Sequence, residues 1–338
     1  YIGFRVNSGE YKIMGLAPYG DPIYQETILE KIVSVKDDGS FWLNQSYFNY
    51  VTGLTMVNKR FEKLFGHPVR KSESEPITKF HMDIAASIQS VLEFIVLRMA
   101  RSTLEVYRIP HLCLAGGVAL NCVVNGKLVR EIGFDDIWIQ PASGDSGGAI
   151  GVAYNVWHKE LGKLRRRRDL ATDSMKSSYL GPAYSRLSVE KRLRDCGANY
   201  SVLSDDELIT ITVEGLIDQK TVGWFQNRME FGPRALGNRS ILADPRSNSM
   251  QRNLNQKVKY RESFRPFAPS VMKEHADEWF ELGKDSPYML LVSKFLESKR
   301  ITPSSDCNSI EGFDLLGEPL PLGDSNLRTT SPMKNPRL

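Results

Sequence analysis

The chain has 338 residues, 41% hydrophobic and 25% charged, which is ordinary for a globular protein and long enough for two domains. The net charge of +4 is low for a protein that binds nucleic acid over its whole surface. No apolar run approaches the roughly 20 residues of a membrane span, and the four cysteines form neither a CxxC pair nor a disulfide framework. We therefore expect a cytoplasmic protein with reduced thiols. No signal peptide opens the chain, and its abrupt start at Tyr1 predicts a fragment that lacks upstream sequence.

Glycine and proline punctuate the first segment, VNSGEYKIMGLAPYGD (6–21), which predicts a loop-rich region. A structural turn cluster and a ligand site are equally favoured there. Residues 28–43 predict a helix followed by a strand that turns at Asp38 and Gly39.

The clearest helix is predicted from Met82 to Leu104, where apolar residues recur mostly at intervals of three and four. Thr78 is its expected N-cap. The apolar face is wide, so we expect a core helix without a chemical role. We interpret His81 as a polar residue of the first turn rather than a metal ligand, because no second histidine lies at ligand spacing.

A short apolar strand at 111–114 leads into the glycine pair Gly116 and Gly117 and then into a predicted helix. Such a turn can place backbone N–H groups against a phosphate or an adenosine, and glycine permits the close approach. Asn121 could bond a ribose or a base, or it could cap the helix. The nucleotide site and a purely structural turn have about equal support.

The pattern then repeats, with a strand predicted at 136–140, a glycine-rich turn that contains Asp145, and a helix. A repeated strand–helix order predicts an α/β fold. Asp145 could act as an N-cap, or as a carboxylate ligand to a cation beside bound phosphates.

The most cationic stretch spans residues 223–269, after a helix predicted at 204–220 and a strand at 221–225. Gly, Pro and Phe residues lie between its arginines, which suggests turns rather than a helix. Arginines on turns suit a site for a small anion, because the guanidinium fork matches phosphate or carboxylate oxygens. A surface basic patch and a nucleic-acid groove are the alternatives. Only Glu230, Asp244 and Glu262 oppose these cations. The cations are Arg228, Arg234, Arg239, Arg246, Arg252, Lys257, Lys259, Arg261 and Arg265.

A last helix is predicted at 273–282, and residues 171–178 read as a polar linker. Beyond residue 293 the periodicity is lost, so we expect a disordered tail at 293–338.

Seven runs of residues resemble the O-carbamoyltransferase family, which includes nodulation protein U and the cephalosporin and aminoglycoside (tobramycin) carbamoyltransferases. They keep the family's order and spacing over about the first 290 residues. The runs are SGEYKIMGLAPYGD (8–21), DIAASIQ (83–89), LCLAGGVALNCVVNGKL (112–128), PASGDSGGAIGVAY (141–154), YLGPAYS (179–185), GWFQNRMEFGPRALGNRSILADPR (223–246) and FRPFAPSV (264–271).

The resemblance implies an α/β chain of two modules. Residues 1–172 would be the C-terminal half of an actin/hexokinase-like domain of the threonylcarbamoyltransferase type, and residues 173–292 part of a YrdC-like domain. The implied reaction uses ATP and carbamoyl phosphate, passes through a carbamoyl-adenylate, and carbamoylates a hydroxyl of a small acceptor. A divalent metal ion, Fe or Mg, is the implied cofactor. No membrane partner is expected, nucleic acid is not favoured, and a homodimer is left open.

The resemblance also implies site residues. Gly116, Gly117 and Asn121 match the family's adenosine loop, and Asp145 matches a metal ligand. The positions that would bind carbamoyl phosphate are Arg234, Arg239, Lys257, Arg261 and Arg265, and of these Arg234, Arg239 and Arg265 would be catalytic.

Two departures from the family are expected to matter. The family's N-terminal half with its metal-binding histidine pair is missing, and the family pattern ends at residue 292. None of the chain's histidines replaces that pair: His67, His81, His111, His158 and His275. An inactive remnant is therefore one competing reading. A tRNA-binding or tRNA-modifying protein is another, because both modules have relatives in tRNA threonylcarbamoylation.

Overall fold

The computed structural model describes residues 1–71, 75–165, 173 and 175–300. The helices are α1 Glu10–Leu16, α2 Gln25–Thr27, α3 Lys59–Phe65, α4 Lys79–Tyr107, α5 Cys122–Glu131, α6 Asp145–Asn155, α7 Arg186–Asp195, α8 Asp205–Ile217, α9 Met250–Asn253 and α10 Ala276–Trp279. The strands are β1 Val33–Val35, β2 Phe41–Leu43, β3 His111–Leu114, β4 Asp136–Ile139, β5 Val222–Phe225 and β6 Arg239–Leu242.

The described chain divides into two compact units. The first unit contains residues 1–139, 260–285 and 290–300, and the second contains residues 140–259 and 286–289. The predicted division of the chain into two modules, 1–172 and 173–292, and a tail, 293–338, stays a prediction. Residues 166–172, 174 and 301–338 lie outside the described residues; they include positions 171, 172 and 174 of the predicted linker and most of the predicted tail.

Helix α4 is a core helix of the first unit, as predicted. Thr78 caps it in a reciprocal capping box with His81, so this histidine acts as the first-turn polar residue that we expected. One stretch of α4 packs with α1, a second with the β1–β2 hairpin, and a third with α5. The hairpin turns at Asp38 and Gly39, which confirms the expected turn.

By length and composition α4 could also span a membrane, an option that the sequence analysis excluded. The helix has 61% of its most apolar window buried inside the protein, however. The core helix of a globular unit passes the same test, so this helix is weak evidence for a membrane span.

Strands β3 and β4 pair in parallel, with His111 opposite Asp136 and Leu114 opposite Ile139. Helix α5 connects them, which gives the β–α–β order that the sequence predicted. Val124 and Leu128 of α5 are fully buried in a cluster with Ala100 of α4. The edge that carries Gly116 is therefore supported by a packed layer of helices.

Two local expectations were wrong. The segment 6–21 contains α1 and a 3-10 turn, Ala17–Tyr19, rather than loop alone. Gly9 lies at the N-cap position, outside the helix, and Gly15 is buried in its last turn, where a Cβ would lie 3.5 Å from Pro266 Cδ. The helix predicted at 273–282 is reduced to a 3-10 turn and the single turn α10.

The second unit contains α6 to α9 and the antiparallel pair β5–β6, in which Phe225 lies opposite Arg239. Helix α8 begins after Ser204, which forms a capping box with Glu207, close to the predicted start. Mixed α/β structure with one parallel and two antiparallel strand pairs is thus observed in the described residues.

Candidate functional site

The turn after β3 requires glycine for its backbone. Gly116 has φ +96° and ψ 163°, a region that is essentially restricted to glycine. Gly116 and Gly117 are exposed, and a Cβ built on either residue would meet nothing within 4 Å. The turn therefore offers an open backbone surface, as close approach by a ligand would require. Its role in nucleotide binding stays a prediction.

Asn121 caps helix α5, because its Oδ1 accepts a hydrogen bond of 3.1 Å from the Val124 N–H. Its amide also exchanges two hydrogen bonds with Gln89 of α4, at 2.9 and 3.3 Å. The capping alternative of the sequence analysis is therefore present. A contact with a ribose or base is a further prediction.

Asp145 is the first residue of α6 and is exposed. Of its two alternative roles, the capping role was wrong, since Gly144 occupies the N-cap position and no side chain caps this helix. The ligand role stays a prediction. The turn is tight, because a Cβ on Gly147 would lie 2.2 Å from the Ala142 carbonyl oxygen. A carboxylate at this position is favoured by the helix dipole. In the described residues no group of three or more His, Cys, Asp or Glu side chains could hold a metal ion.

In the second unit, one carboxylate organises the loop between β5 and β6. Glu230 Oε1 accepts hydrogen bonds from the N–H groups of Leu236, Asn238 and Arg239, at 2.8, 2.9 and 3.1 Å. Partial burial opposes ionisation of Glu230, but these backbone donors outweigh it and lower its pKa. Three backbone N–H groups of the loop FGPRALGNRS thus donate to the carboxylate of Glu230.

Other hydrogen bonds fix the same loop. Tyr179 donates from its hydroxyl to the Leu236 carbonyl at 2.7 Å, and the buried Asn238 amide donates to the Arg228 carbonyl at 2.8 Å. Arg228 in turn donates from Nη1 to the Gly181 carbonyl at 2.8 Å. The loop conformation is therefore set by internal bonds.

The predicted anion-binding cations of this unit lie in different local settings. Arg239 is the first residue of β6, so the expectation that it sits on a turn was wrong. Lys257 lies in a helical turn. Both are exposed, and within the described residues neither charged group has a hydrogen bond or ion pair. Arg234 is half-buried. Arg246 is held by Asp244 in a bidentate pair, with a shortest contact of 2.6 Å.

In the first unit, two predicted phosphate ligands lie on aromatic rings. The Arg265 guanidinium is 4.3 Å from the ring centroid of Tyr11, and that of Arg261 is 4.7 Å from Phe267. Burial, followed by the nearby charge of Arg265, lowers the pKa of Arg261. Stacking on a ring holds the plane of a guanidinium in a fixed orientation.

Glu262 links this arginine pair to the start of the chain. Its Oε1 lies 2.6 Å from Lys12 Nζ, and its Oε2 lies 3.5 Å from Arg265 Nη1. Burial opposes ionisation of Glu262, but the hydrogen bond from Lys12 and the charges of Lys12 and Arg265 lower its pKa. Lys12 was not among the site residues predicted from the sequence. The motif run at 8–21 contains it, but no local pattern connects it with a residue 250 positions away.

Comparison with known proteins gives two family matches. The N-terminal model of the carbamoyltransferase family matches residues 1–154, and its C-terminal model matches residues 213–309. The expectation that the family pattern ends at residue 292 was therefore wrong. Together these matches include every residue proposed above for the site.

Individual relatives agree with these matches. An uncharacterized protein of Synechocystis sp. is 50% identical over all of this chain and 56% of its own length. Nodulation protein NolNO of Sinorhizobium fredii is 40% identical over 89% of this chain and 42% of its own, and nodulation protein NolO of Bradyrhizobium diazoefficiens is 37% identical over 86% and 50%. The chain spans about half the length of these relatives. It belongs to the carbamoyltransferase family.

Proposed function

We propose that the protein carrying this chain is an ATP-dependent O-carbamoyltransferase that takes its carbamoyl group from carbamoyl phosphate and transfers it to a hydroxyl of a small molecule. Family membership supports the reaction class. The observation that carries the proposal is the pair Arg261 and Arg265, partly desolvated and each oriented on an aromatic ring. Rigid, half-buried guanidiniums suit a small phosphorylated substrate better than a solvated basic patch would.

The proposed fold assignment follows the same reasoning. The parallel β3–α5–β4 unit supports an actin-like half domain, and the α8, β5 and β6 segment supports a YrdC-like domain. Both assignments are finer than the mixed α/β structure that is observed.

In the proposed reaction, carbamoyl phosphate is hydrolysed to carbamate and inorganic phosphate. The carbamate oxygen then displaces pyrophosphate from the α-phosphate of ATP to give a carbamoyl-adenylate, and the acceptor hydroxyl displaces AMP from the carbamoyl carbon. The intermediate is needed because carbamate is a poor electrophile until it carries a good leaving group. In the first unit, Arg261 and Arg265 would neutralise charge on phosphoryl oxygens as it develops. The same role is proposed within the second unit for Arg234, Arg239 and Lys257.

Two further groups would hold the nucleotide. Gly116 and Gly117 expose backbone against which its phosphates or adenosine could lie, beside Asn121. The single carboxylate of Asp145 fits Mg²⁺, which binds through one or two carboxylates together with substrate phosphates and then shields their charge. It does not by itself make an iron site.

A cytoplasmic location is proposed with this chemistry. Among the described residues, Cys113 and Cys196 are free thiols, as expected in a reducing compartment.

The test is pyrophosphate release from ATP by the intact purified protein, measured with and without carbamoyl phosphate. We expect release that depends on both substrates. Absence of pyrophosphate release, or release that does not depend on carbamoyl phosphate, would refute the proposal. A filter-binding assay with tRNA tests the competing reading, which predicts saturable binding whose affinity falls steeply with salt.

A further inference from the structure

Two lysines of the first unit, Lys79 and Lys12, form ion pairs in different electrostatic surroundings. Lys79 Nζ lies between two carboxylates, 2.6 Å from Asp21 and 2.7 Å from Asp83. Lys12 Nζ lies 2.6 Å from a single carboxylate, Glu262, whose other oxygen pairs with Arg265. Lys79 is therefore in an anionic environment, whereas Lys12 shares its counter-ion with a second cation.

The surroundings of Lys12 are also less solvated. Its side chain is 26% exposed, against 47% for Lys79. Its ammonium lies 5.5 Å from the centroid of the Phe4 ring, beside the segment that carries Arg261 and Arg265. Charges interact more strongly in a partly desolvated site, so an additional anion would be bound more tightly here than at an exposed lysine.

We propose that Lys12 is a phosphate-binding residue, acting with Arg261 and Arg265, and that Glu262 is the internal counter-ion that the phosphate replaces. The inference rests on the proposed function for the identity of its ligands, which are carbamoyl phosphate and ATP. Their shared chemistry is a phosphate oxyanion, and the two ligands are tested separately below.

The role of Glu262 follows from its contacts. It holds Lys12 and Arg265 close together while no substrate is bound, which offsets their mutual repulsion. A phosphate has more acceptor oxygens than a carboxylate and can bond both cations at once. Arg261, whose pKa is lowered by burial and by Arg265, would also gain from a new anion.

The first experiment measures binding of carbamoyl phosphate and, separately, of ATP to the intact protein by calorimetry at fixed ionic strength. Lys12→Met keeps most of the apolar stem and removes the charge. We expect it to weaken binding of at least one ligand by about ten- to hundredfold, as loss of a charge-assisted bond does. The ligand that is affected identifies the pocket. The matched control Lys79→Met, which also breaks ion pairs at α4, should stay within about twofold of the wild type.

Some outcomes would overturn the inference. These are a wild-type protein that binds neither ligand, a Lys12→Met variant that binds both normally, and equal weakening in Lys12→Met and Lys79→Met. A second variant, Glu262→Gln, separates binding from structure. Removing a competing anion should tighten phosphate binding several-fold, whereas a purely structural Glu262 would predict weaker binding.

The pyrophosphate assay distinguishes this inference from the proposed function. If binding depends on Lys12 but the wild-type protein releases no pyrophosphate, the phosphate site stands and the proposed reaction fails. If pyrophosphate release is normal in the wild type and binding is indifferent to Lys12, the reaction stands and the role of Lys12 fails.

Discussion

Glu230→Gln tests whether one carboxylate holds the arginine loop of the second unit in place. In the wild type, Glu230 Oε1 accepts from three backbone N–H groups at 2.8 to 3.1 Å. Glutamine preserves the shape and an acceptor oxygen but removes the charge. The change therefore isolates the electrostatic part of the interaction.

The magnitude follows from those three bonds. A hydrogen bond to a charged group stabilises a fold by about 1.5–3 kcal/mol, and a neutral one by about 0.5–1.5 kcal/mol. The difference is about 1 kcal/mol per bond, and the three donors compete for one oxygen. We therefore expect Glu230→Gln to lower the free energy of unfolding by about 2 kcal/mol.

Urea unfolding of the intact protein measures this value. Glu190→Gln, which removes the ion pair with the exposed Arg186 on α7, is the control and should cost about 0.5 kcal/mol or less. The pKa of Glu230 is lowered in the folded protein, so its carboxylate stabilises above its unfolded pKa, and this contribution is lost as pH falls through the folded pKa. Wild type and Glu230→Gln should therefore converge in acid. The reasoning would be refuted if Glu230→Gln lowered the free energy of unfolding no more than the control does. It would also be refuted if the unfolding free energies of wild type and Glu230→Gln did not converge at low pH.

Three further predictions concern single residues. Arg239→Lys keeps the charge but loses the bidentate fork, so carbamoyl-phosphate-dependent pyrophosphate release should fall about tenfold or more while the melting temperature hardly moves; full activity would remove Arg239 from the site. Asp145→Asn should lower the metal content of the purified protein by elemental analysis, and unchanged content would exclude a ligand role. Leu128→Ala should cost about 2–5 kcal/mol in urea unfolding, because Leu128 is fully buried; a loss below about 1 kcal/mol would mean that the cluster around α5 closes over the gap.

Much of the local structure followed from residue patterns. The apolar period and the Thr78 cap predicted α4, and the short apolar runs predicted β3 and β4 within a residue. These features depend on neighbours three or four positions away or on alternation along a strand, so the necessary information lies within one segment. Family motifs then located the candidate site, because they are themselves local strings of residues.

Local patterns failed where packing decided the outcome. Glycines in 6–21 predicted a loop, yet α1 forms because its apolar residues pack on α4 and near Phe264. The sequence allowed Asp145 to cap α6 as one of two alternatives, but Gly144 lies at the N-cap position. A propensity is worth less than about 1 kcal/mol per residue, so tertiary contacts readily override it.

The partners of the two acidic residues were decided by tertiary structure alone. By sequence, Glu230 and Glu262 were only charges opposed to a basic stretch. In the folded chain Glu230 accepts the hydrogen bonds of a loop, because the backbone path of residues 236–239 directs N–H groups toward its carboxylate. Folding brought Glu262 to Lys12 across 250 positions, because α1 and the segment around Phe264 share one apolar core. The sequence determined which charges are present, and the burial of apolar surface determined which of them meet.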